Sequence, residues 1–152
     1  MISRKYVIID IDGTIASVHP DRLKYLQQEN KDWDTFYQLC FKDEPIPEII
    51  DLVQTLIYSN KYKIVFCTGR RDTVEQETRN WLNEYFEELG EYILLMRKDR
   101  DWRHDTAVKP ELLAKSGINT DNVAFILEDR DSMVTKWREL GYKCLQVAEG
   151  NF

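Results

Sequence analysis

The pattern from which the rest of this chain can be interpreted is Tyr6-Val7-Ile8-Ile9-Asp10-Ile11-Asp12-Gly13-Thr14-Ile15. It opens with a short β-branched apolar run, which is typical of a strand buried on both faces. The run ends at Asp10 and Asp12, and side chains two positions apart in an extended segment point to the same side. Gly13 follows at once and allows a sharp turn with close approach of a ligand to the backbone.

Two carboxylates at one strand end carry like charges. Holding Asp10 and Asp12 close together is costly unless a cation or a shared proton relieves those charges. Hard divalent metals prefer oxygen ligands, so the pattern favours an Mg²⁺ site. The competing interpretation is that both acids are ordinary turn residues, because Asp and Gly are common where strands end.

The composition predicts one folded domain over residues 1–152, since 43% of the residues are hydrophobic and 12% aromatic. Cys67 and Cys144 lie in apolar runs and, with Cys40, form no CxxC pattern, so we expect buried thiols. No signal-peptide pattern precedes the first strand and no apolar run is long enough to cross a bilayer, which favours a cytoplasmic location without a membrane partner. The net charge of −6 argues against general coating of nucleic acid, but not against an enzyme that reads one terminal phosphate.

Strand-like and helix-like patterns alternate along the chain. After the first strand we predict strands over residues 63–67, 92–96, 123–127 and 143–147. We predict helices over residues 21–30, 33–41, from Pro47 onward, 73–89, 109–115 and 132–140. This order predicts an α/β, three-layer Rossmann-like fold with a mostly parallel central sheet. Ligands bind such sheets beyond the carboxyl ends of the strands.

Polar groups suited to phosphate chemistry follow three of these strands, and a lysine lies at a predicted helix start. The clusters are Asp10 with Asp12, Thr68-Gly69-Arg70, Lys109 four residues after Asp105, and Glu128 with Asp129. A carboxylate can attack phosphorus to form an aspartyl-phosphate. Mg²⁺ and cationic side chains would neutralise the charge that develops on the transferring group. The set therefore predicts metal-assisted phosphoryl transfer.

Taken together, the four clusters resemble the motifs of the haloacid dehalogenase (HAD) superfamily of phosphohydrolases. The segments 68–70, 105–109 and 128–152, with an arginine soon after the first motif, are similar to the phosphatase domain of bacteriophage polynucleotide kinase/3′-phosphatases. The resemblance implies an HAD-type fold with a small or minimal cap, formed by an insertion at about residues 17–44. The interval from Thr68 to Lys109 is too short for a separate cap domain.

The resemblance also implies roles for individual residues. Asp10 would be the nucleophile, and Asp12 the general acid and base, with a pKa shifted toward neutrality. Thr68 and Lys109 would hold the phosphoryl group. Mg²⁺ would be bound by Asp10, the Asp12 carbonyl and Asp129; Glu128 stands where the family commonly has Asp, so Glu128 and Asp131 remain possible additions. The supporting substrate-binding residues would be Gly13, Gly69, Arg70, Arg22, Asp105 and Arg103.

Two aromatic-containing segments have competing interpretations. Trp33, Phe36, Tyr37 and Cys40 follow helical spacing, for which core packing is favoured over a ligand platform. The segment Arg97–His104 is rich in basic residues and contains Trp102, so it is either a contact for a nucleic-acid backbone and base or a solvated surface loop. His104 and His19 have no partner pattern that indicates catalysis.

The leading prediction is an Mg²⁺-dependent phosphomonoesterase that acts through an aspartyl-phosphate on polynucleotide 3′-phosphate ends, in nucleic-acid end repair. The alternative is a 5′- or 3′-nucleotidase acting on mononucleotides. A non-catalytic partner of a kinase or ligase is disfavoured, because a scaffold has no need to hold so many acids together. No G-x-x-x-x-G-K-[ST] segment occurs, so we expect the phosphatase half alone, with a separate kinase or ligase as a possible partner.

Overall fold

The computed structural model describes residues 3–152, which alternate between strands and helices. The strands are β1 (Lys5–Ile9), β2 (Ala16–Ser17), β3 (Glu44–Pro45), β4 (Tyr62–Arg71), β5 (Tyr92–Arg97), β6 (Val123–Glu128) and β7 (Cys144–Gln146). The helices are α1 (Pro20–Leu23), α2 (Trp33–Gln38), α3 (Pro47–Ser59), α4 (Glu75–Tyr85), α5 (Asp105–Lys115) and α6 (Asp131–Glu139). Short 3₁₀ turns cover Leu39–Lys42 and Asp72–Val74.

Five strands form one parallel sheet in the order β5-β4-β1-β6-β7. Strand β1 is central, with Ile9 opposite Phe66 of β4 and Leu127 of β6. The residues that follow these three partners therefore meet at one edge of the sheet. The predicted α/β fold with a parallel central sheet is confirmed.

Alternate residues of β1 supply the two apolar layers of the protein. Val7 and Ile9 are fully buried on one face, in a core that includes Val53 of α3 and Leu82 of α4. Ile8 points to the other face and packs in a second core with side chains of α5 and α6, such as Trp137. Both faces of the strand are thus covered, as its unbroken apolar run predicts.

The chain leaves and re-enters the main fold at one two-stranded ribbon. Ala16 of β2 pairs antiparallel with Pro45 of β3, and Ser17 with Glu44. Helices α1 and α2 and the first 3₁₀ turn lie between these two strands. Backbone pairing therefore holds together the two ends of the segment predicted as an insertion, residues 17–44.

Several predicted element bounds are wrong. Helix α1 stops at Leu23, and residues 24–30 form turns and bends that are mostly exposed, so they bury too little apolar surface to extend a helix. Helix α2 stops at Gln38 and passes into a 3₁₀ turn. Helix α4 ends at Tyr85, before Gly90, because Phe86 becomes extended and enters the core beside Phe66. Helix α5 begins at Asp105, where His104 Nδ1 caps it by accepting from Thr106 N at 3.2 Å.

The three cysteines are free and buried, as expected. Among residues 3–152, no helix has the length and apolar character needed to cross a membrane.

Candidate active site

The carboxyl ends of β1, β4 and β6 and one turn of α5 bring a set of almost fully buried polar side chains together. We call this set the base of the cavity; it consists of Asp10, Thr68, Lys109, Glu128 and Asp129, each at most 6% exposed. Lys109 Nζ donates to Asp10 Oδ1 at 2.7 Å and to Glu128 Oε2 at 3.0 Å. The Thr14 hydroxyl lies 3.0 Å from the other Asp10 oxygen and 3.2 Å from Asp129 Oδ1, so both oxygens of the Asp10 carboxylate have a donor beside them.

Asp10, Glu128 and Asp129 offer carboxylate oxygens that lie within 4.8 Å of one another. Burial and the charge of Asp10 raise the pKa of Asp129 to about 7, and the same two causes raise the pKa of Glu128. Burial opposes the charge of Lys109, but Asp10 and Glu128 outweigh it and raise the pKa of the lysine. When all three buried acids are ionised, the one lysine leaves net negative charge, which is why two of these pKa values are raised and which a divalent cation with oxygen ligands would relieve. The donor set therefore fits Mg²⁺.

Asp12 does not have the near-neutral pKa that its predicted role implies. Arg70 Nη2 donates to Asp12 Oδ1 at 2.6 Å and Arg70 Nε to both oxygens at 3.2 Å, while Arg22 Nη1 lies 3.5 Å from Oδ1. Burial would raise the pKa of Asp12, but these two guanidinium groups outweigh it and hold the pKa well below its usual range. The expectation of an upward shift is wrong for the protein in this state, since the two arginines stabilise the ionised carboxylate.

A second buried acid, Asp43, shares both arginines with Asp12. Its Oδ2 accepts from Arg22 and from Arg70 Nη2, the latter at 3.0 Å. Its Oδ1 accepts from the backbone N–H of His19 at 2.9 Å, a bond within the insertion, so it is the pair with Arg70 that joins the insertion to β4. Arg22 also donates to the carbonyl of Phe36 at 2.8 Å. Arg22 and Arg70 therefore lie between two carboxylates, and Arg22 supports Asp12 from a completely buried position.

The two glycines of the predicted site are required by close packing. Gly13 has a φ of +86°, and a Cβ there would overlap the Asp129 carboxylate. A Cβ at Gly69 would lie 2.5 Å from Asp105 Oδ1. Thr68-Gly69-Arg70 is part of β4 rather than a turn after it, and the pairing register with β5 shifts between Thr68 and Arg71. Such an irregularity re-aims side chains at a strand end.

The predicted basic cluster of residues 97–104 is mostly exposed, and only its first residue is buried. Arg97 is buried and donates to the Gly69 carbonyl at 2.9 Å, to two carbonyls of its own loop, and to Asp105. Asp105 also accepts from Arg130 Nη1 at 3.2 Å. Arg103 is exposed but bound to Asp101 and Glu111. The prediction that Arg97 belongs to a free basic surface is therefore wrong.

A cavity of about 620 Å³ opens above the base, and Asp12, Gly13, Gly69, Arg70, Arg103 and Asp105 also line it. We call five of its lining residues the rim: Trp33, Tyr37, Arg71, Trp102 and Arg103. The predicted core stripe is divided: Phe36 and Cys40 are buried and Trp33 is exposed, and all of its members except Cys40 line the cavity. His104 also lines the cavity, and its side chain caps α5. Asp131 is paired separately, since its Oδ1 accepts from Gln146 Nε2 at 2.6 Å.

Three residues of the site were missed by the sequence reasoning. Thr14 stands in the first motif and its hydroxyl donates to Asp10, but the motif alone predicts no role for it. Asp43 precedes two prolines and resembles an ordinary loop acid. Gly150 packs its Cα against the backbone of Asp129. Buried arginines need a carboxylate partner, and this need could have indicated Asp43. The sequence, however, does not reveal that Arg22 and Arg70 are buried.

The fold and this arrangement place the chain among the HAD-like phosphatases. The chain matches the family described as "Polynucleotide kinase PNKP phosphatase domain" over residues 4–152. It belongs to this family, so the resemblance drawn from the motifs is confirmed.

Individual relatives agree with this assignment. A protein of Autographa californica nuclear polyhedrosis virus, named as a bifunctional polynucleotide kinase/RNA ligase, is 31% identical over 134 residues, which are 88% of this chain and 18% of the viral protein. A chain in the structure of the Pnkp1/Rnl/Hen1 RNA repair complex is 27% identical, with a TM-score of 0.76 over 98% of this chain and 44% of that one. This chain thus spans less than half the length of both.

A more distant structure supports the fold alone. A haloacid dehalogenase-like hydrolase of Streptococcus pneumoniae is 15% identical, with a TM-score of 0.62 over 94% of this chain and 84% of that one.

Proposed function

We propose that this chain is a phosphatase that removes terminal 3′-phosphates from polynucleotides, through a phosphoryl intermediate on Asp10. The observation that carries the proposal is the orientation of the Asp10 carboxylate at the floor of the cavity. Lys109 and Thr14 each hold one of its oxygens, at 2.7 Å and 3.0 Å. A nucleophile held in one orientation avoids much of the entropic cost of reaching the transition state.

In the first step, an Asp10 oxygen attacks phosphorus as the bond from phosphorus to the nucleoside oxygen breaks. The departing oxygen takes a proton from Asp12, and the Thr68 hydroxyl and Lys109 ammonium bind the oxygens of the transferring group. Thr68 Oγ1 already accepts from the Arg70 backbone N–H at 3.1 Å. Its own hydroxyl proton is therefore available to donate to the substrate.

In the second step, water attacks the phosphorus of the aspartyl-phosphate and restores the Asp10 carboxylate. Asp12 accepts the proton of that water as inorganic phosphate forms. The low pKa of Asp12 without substrate follows from its contacts with Arg70 and Arg22. We propose that the bound phosphate competes for the guanidinium of Arg70, which lines the cavity, and that this would raise the pKa of Asp12 and allow it to carry the proton.

Mg²⁺ would be held by Asp10, Asp129 and the backbone carbonyl of Asp12, with Glu128 paired to Lys109 rather than bound directly. The bound ion would supply positive charge that offsets the negative charge of the phosphate and the acids. In this arrangement Glu128 fixes the position of Lys109, because it accepts from that lysine at 3.0 Å.

The choice of a polynucleotide end rests on the family and on the small size of the insertion at residues 17–44, which we propose acts as a minimal cap. Such a cap leaves the cavity open to a large substrate. The alternative is a nucleotidase, since the same base would hydrolyse a mononucleotide. We also propose that the chain works beside a kinase or ligase, because the viral relative bears both names and the related structure lies in an RNA repair complex.

The test is phosphate release in Mg²⁺ from a 3′-phosphorylated oligonucleotide, compared with 3′- and 5′-mononucleotides. We expect kcat/KM to be highest for the oligonucleotide, and activity to disappear with EDTA and in Asp10→Asn. The matched control is Asp131→Asn, the same change at an exposed acid, which should retain activity. Preference for mononucleotides would favour the nucleotidase, and activity in Asp10→Asn would exclude the covalent mechanism.

A further inference from the structure

We propose that the outer edge of β5 is an interaction surface that pairs with β5 of a second copy of this chain. The two strands would run antiparallel across a twofold axis and join the two five-stranded sheets into one. This pairing is independent of the phosphatase reaction, because it uses no residue of the base.

The two edge strands of the main sheet differ in how well they are protected from pairing. Strand β7 has only three residues, and Lys143 directly precedes it. Short edge strands and edge lysines are features by which proteins prevent pairing with other chains. Strand β5 has six residues, and the five from 92 to 96 include no charged residue, proline or glycine. The β5 edge therefore lacks the protection that β7 has.

The backbone on the outer side of β5 has no strand beside it. Strand β5 is the last in the sheet, and within residues 3–152 it pairs with β4 alone. That pairing is regular over residues 92–96, and its register shifts only before Arg97. An unpaired row of N–H and C=O groups in a regular strand is a template for another strand.

The side chains of β5 are also incompletely covered. Tyr92 and Leu94 pack against one core, Ile93 and Leu95 pack against the other, and all four are only partly buried. By contrast, residues 7–9 of the central strand β1 are at most 1% exposed. A second copy of β5 would shield apolar side chains on both faces of the sheet, and such burial favours association.

The charges that flank β5 favour an antiparallel partner of the same sequence. Glu88 and Glu91 precede the strand, Lys98 and Arg100 follow it, and all four are exposed. Asp99 reduces the positive charge of the second end but does not cancel it. Antiparallel pairing about the middle of the strand places the acidic end of each copy beside the basic end of the other. Parallel pairing would place like charges together, which is destabilising.

The arrangement keeps the two active sites apart. The strands of the two copies would run in opposite directions, so their cavities would lie at opposite edges of the joined sheet. Pairing of one short strand buries little surface, and small interfaces give weak complexes. We therefore expect a dimer that forms and dissociates with concentration.

The test is sedimentation equilibrium from about 1 to 500 µM, a range suited to a small interface. We expect the mass to rise from that of the monomer to that of the dimer. Glu91→Lys and Lys98→Glu should each raise the dimer Kd about 10-fold, because each places like charges together at both ends of the paired strands. The variant with both changes should return the Kd to within about threefold of the original value, because its charges are exchanged rather than removed.

Amide hydrogen exchange gives a second measurement of the same surface. The peptide that covers residues 92–96 should exchange more slowly at concentrations where the dimer forms, since its outer N–H groups become hydrogen-bonded. Leu94→Lys, which introduces a charge at the middle of the edge, should abolish the dimer, and urea denaturation checks that this variant is folded. The matched control is Lys143→Glu, the same charge reversal beside β7, which should leave the dimer Kd unchanged.

A single monomer mass at every concentration would overturn the pairing and leave the β5 edge open to a strand of a different protein. A dimer that neither charge reversal weakens, or that Lys143→Glu weakens equally, would place the interface elsewhere. Failure of the doubly changed variant to recover the dimer would overturn the antiparallel arrangement. Phosphate release at concentrations where the chain is monomeric tests the proposed function separately.

Discussion

The base and the rim of the cavity are built in opposite ways. The base is carried by β1, β4, β6 and α5, its side chains are buried, and Lys109 joins two of its acids by hydrogen bonds. The rim takes Trp33 and Tyr37 from the insertion, Arg71 from the end of β4, and Trp102 and Arg103 from the loop before α5. This difference indicates that the sheet fixes the chemistry, while the added segments determine which substrate reaches it.

The largest expected difference is in kcat, between variants of two lysines of α5. Lys109→Ala should lower kcat for phosphate release by about 10²–10³-fold, because it removes a charged donor from the transferring group. Lys115→Ala removes an exposed lysine of α5 that pairs with Glu111 at 2.8 Å, and it should leave kcat unchanged. Steady-state kinetics with both variants checks this, and equal loss of kcat in the two would contradict the role given to Lys109 in the base.

The second comparison concerns two aspartates that pair with arginine. Asp43→Ala should lower the free energy of unfolding by about 3 kcal/mol, because it leaves the buried Arg22 and Arg70 with one carboxylate fewer. Asp34→Ala breaks the pair with Arg71 at an exposed acid, and should cost no more than about 1 kcal/mol. Urea denaturation of both variants measures the difference. Similar losses of unfolding free energy in the two variants would mean that Asp43 contributes no more to stability than the exposed Asp34.

The third comparison concerns metal binding by two acids two positions apart. Asp129→Asn should weaken binding of Mn²⁺, used as a spectroscopic substitute for Mg²⁺, by at least about 10-fold, because it removes one carboxylate of the buried group. Asp131→Asn should leave the Mn²⁺ affinity unchanged, since that side chain accepts from Gln146 instead. Electron paramagnetic resonance titration reports free Mn²⁺ directly. Loss of affinity in the Asp131 variant would extend the metal site beyond the base.

The smallest effect is expected at Arg103, which the sequence suggested as a substrate-binding residue. Its guanidinium is already paired with Asp101 and Glu111. Arg103→Ala should therefore change KM for an oligonucleotide by less than about threefold, as is usual for exposed pairs. A larger rise in KM that vanishes at high salt would show that Arg103 leaves its partners to bind phosphate.

The sequence was most informative where strand ends determine position. Asp10, Thr68 and Glu128 follow or end buried apolar runs, and parallel strands bring such residues to one edge whatever the loops do. The sequence was least informative where the conformation of a loop decides where a side chain lies. Trp33 and Cys40 share one helical stripe, yet one lines the cavity and the other is in the core. The low pKa of Asp12 depends on two arginines from other segments, whose approach no local pattern reveals.

The central claim is that Asp10 carries the phosphoryl group, and rapid acid quench followed by peptide mass spectrometry tests it most directly. The protein is mixed with a 3′-phosphorylated oligonucleotide and Mg²⁺ and quenched within one turnover. We predict a phosphoryl group on the peptide that contains Asp10, and none in the Asp10→Asn variant. Phosphate release with that peptide unmodified at every time point, or with the phosphoryl group on another residue, would contradict the mechanism.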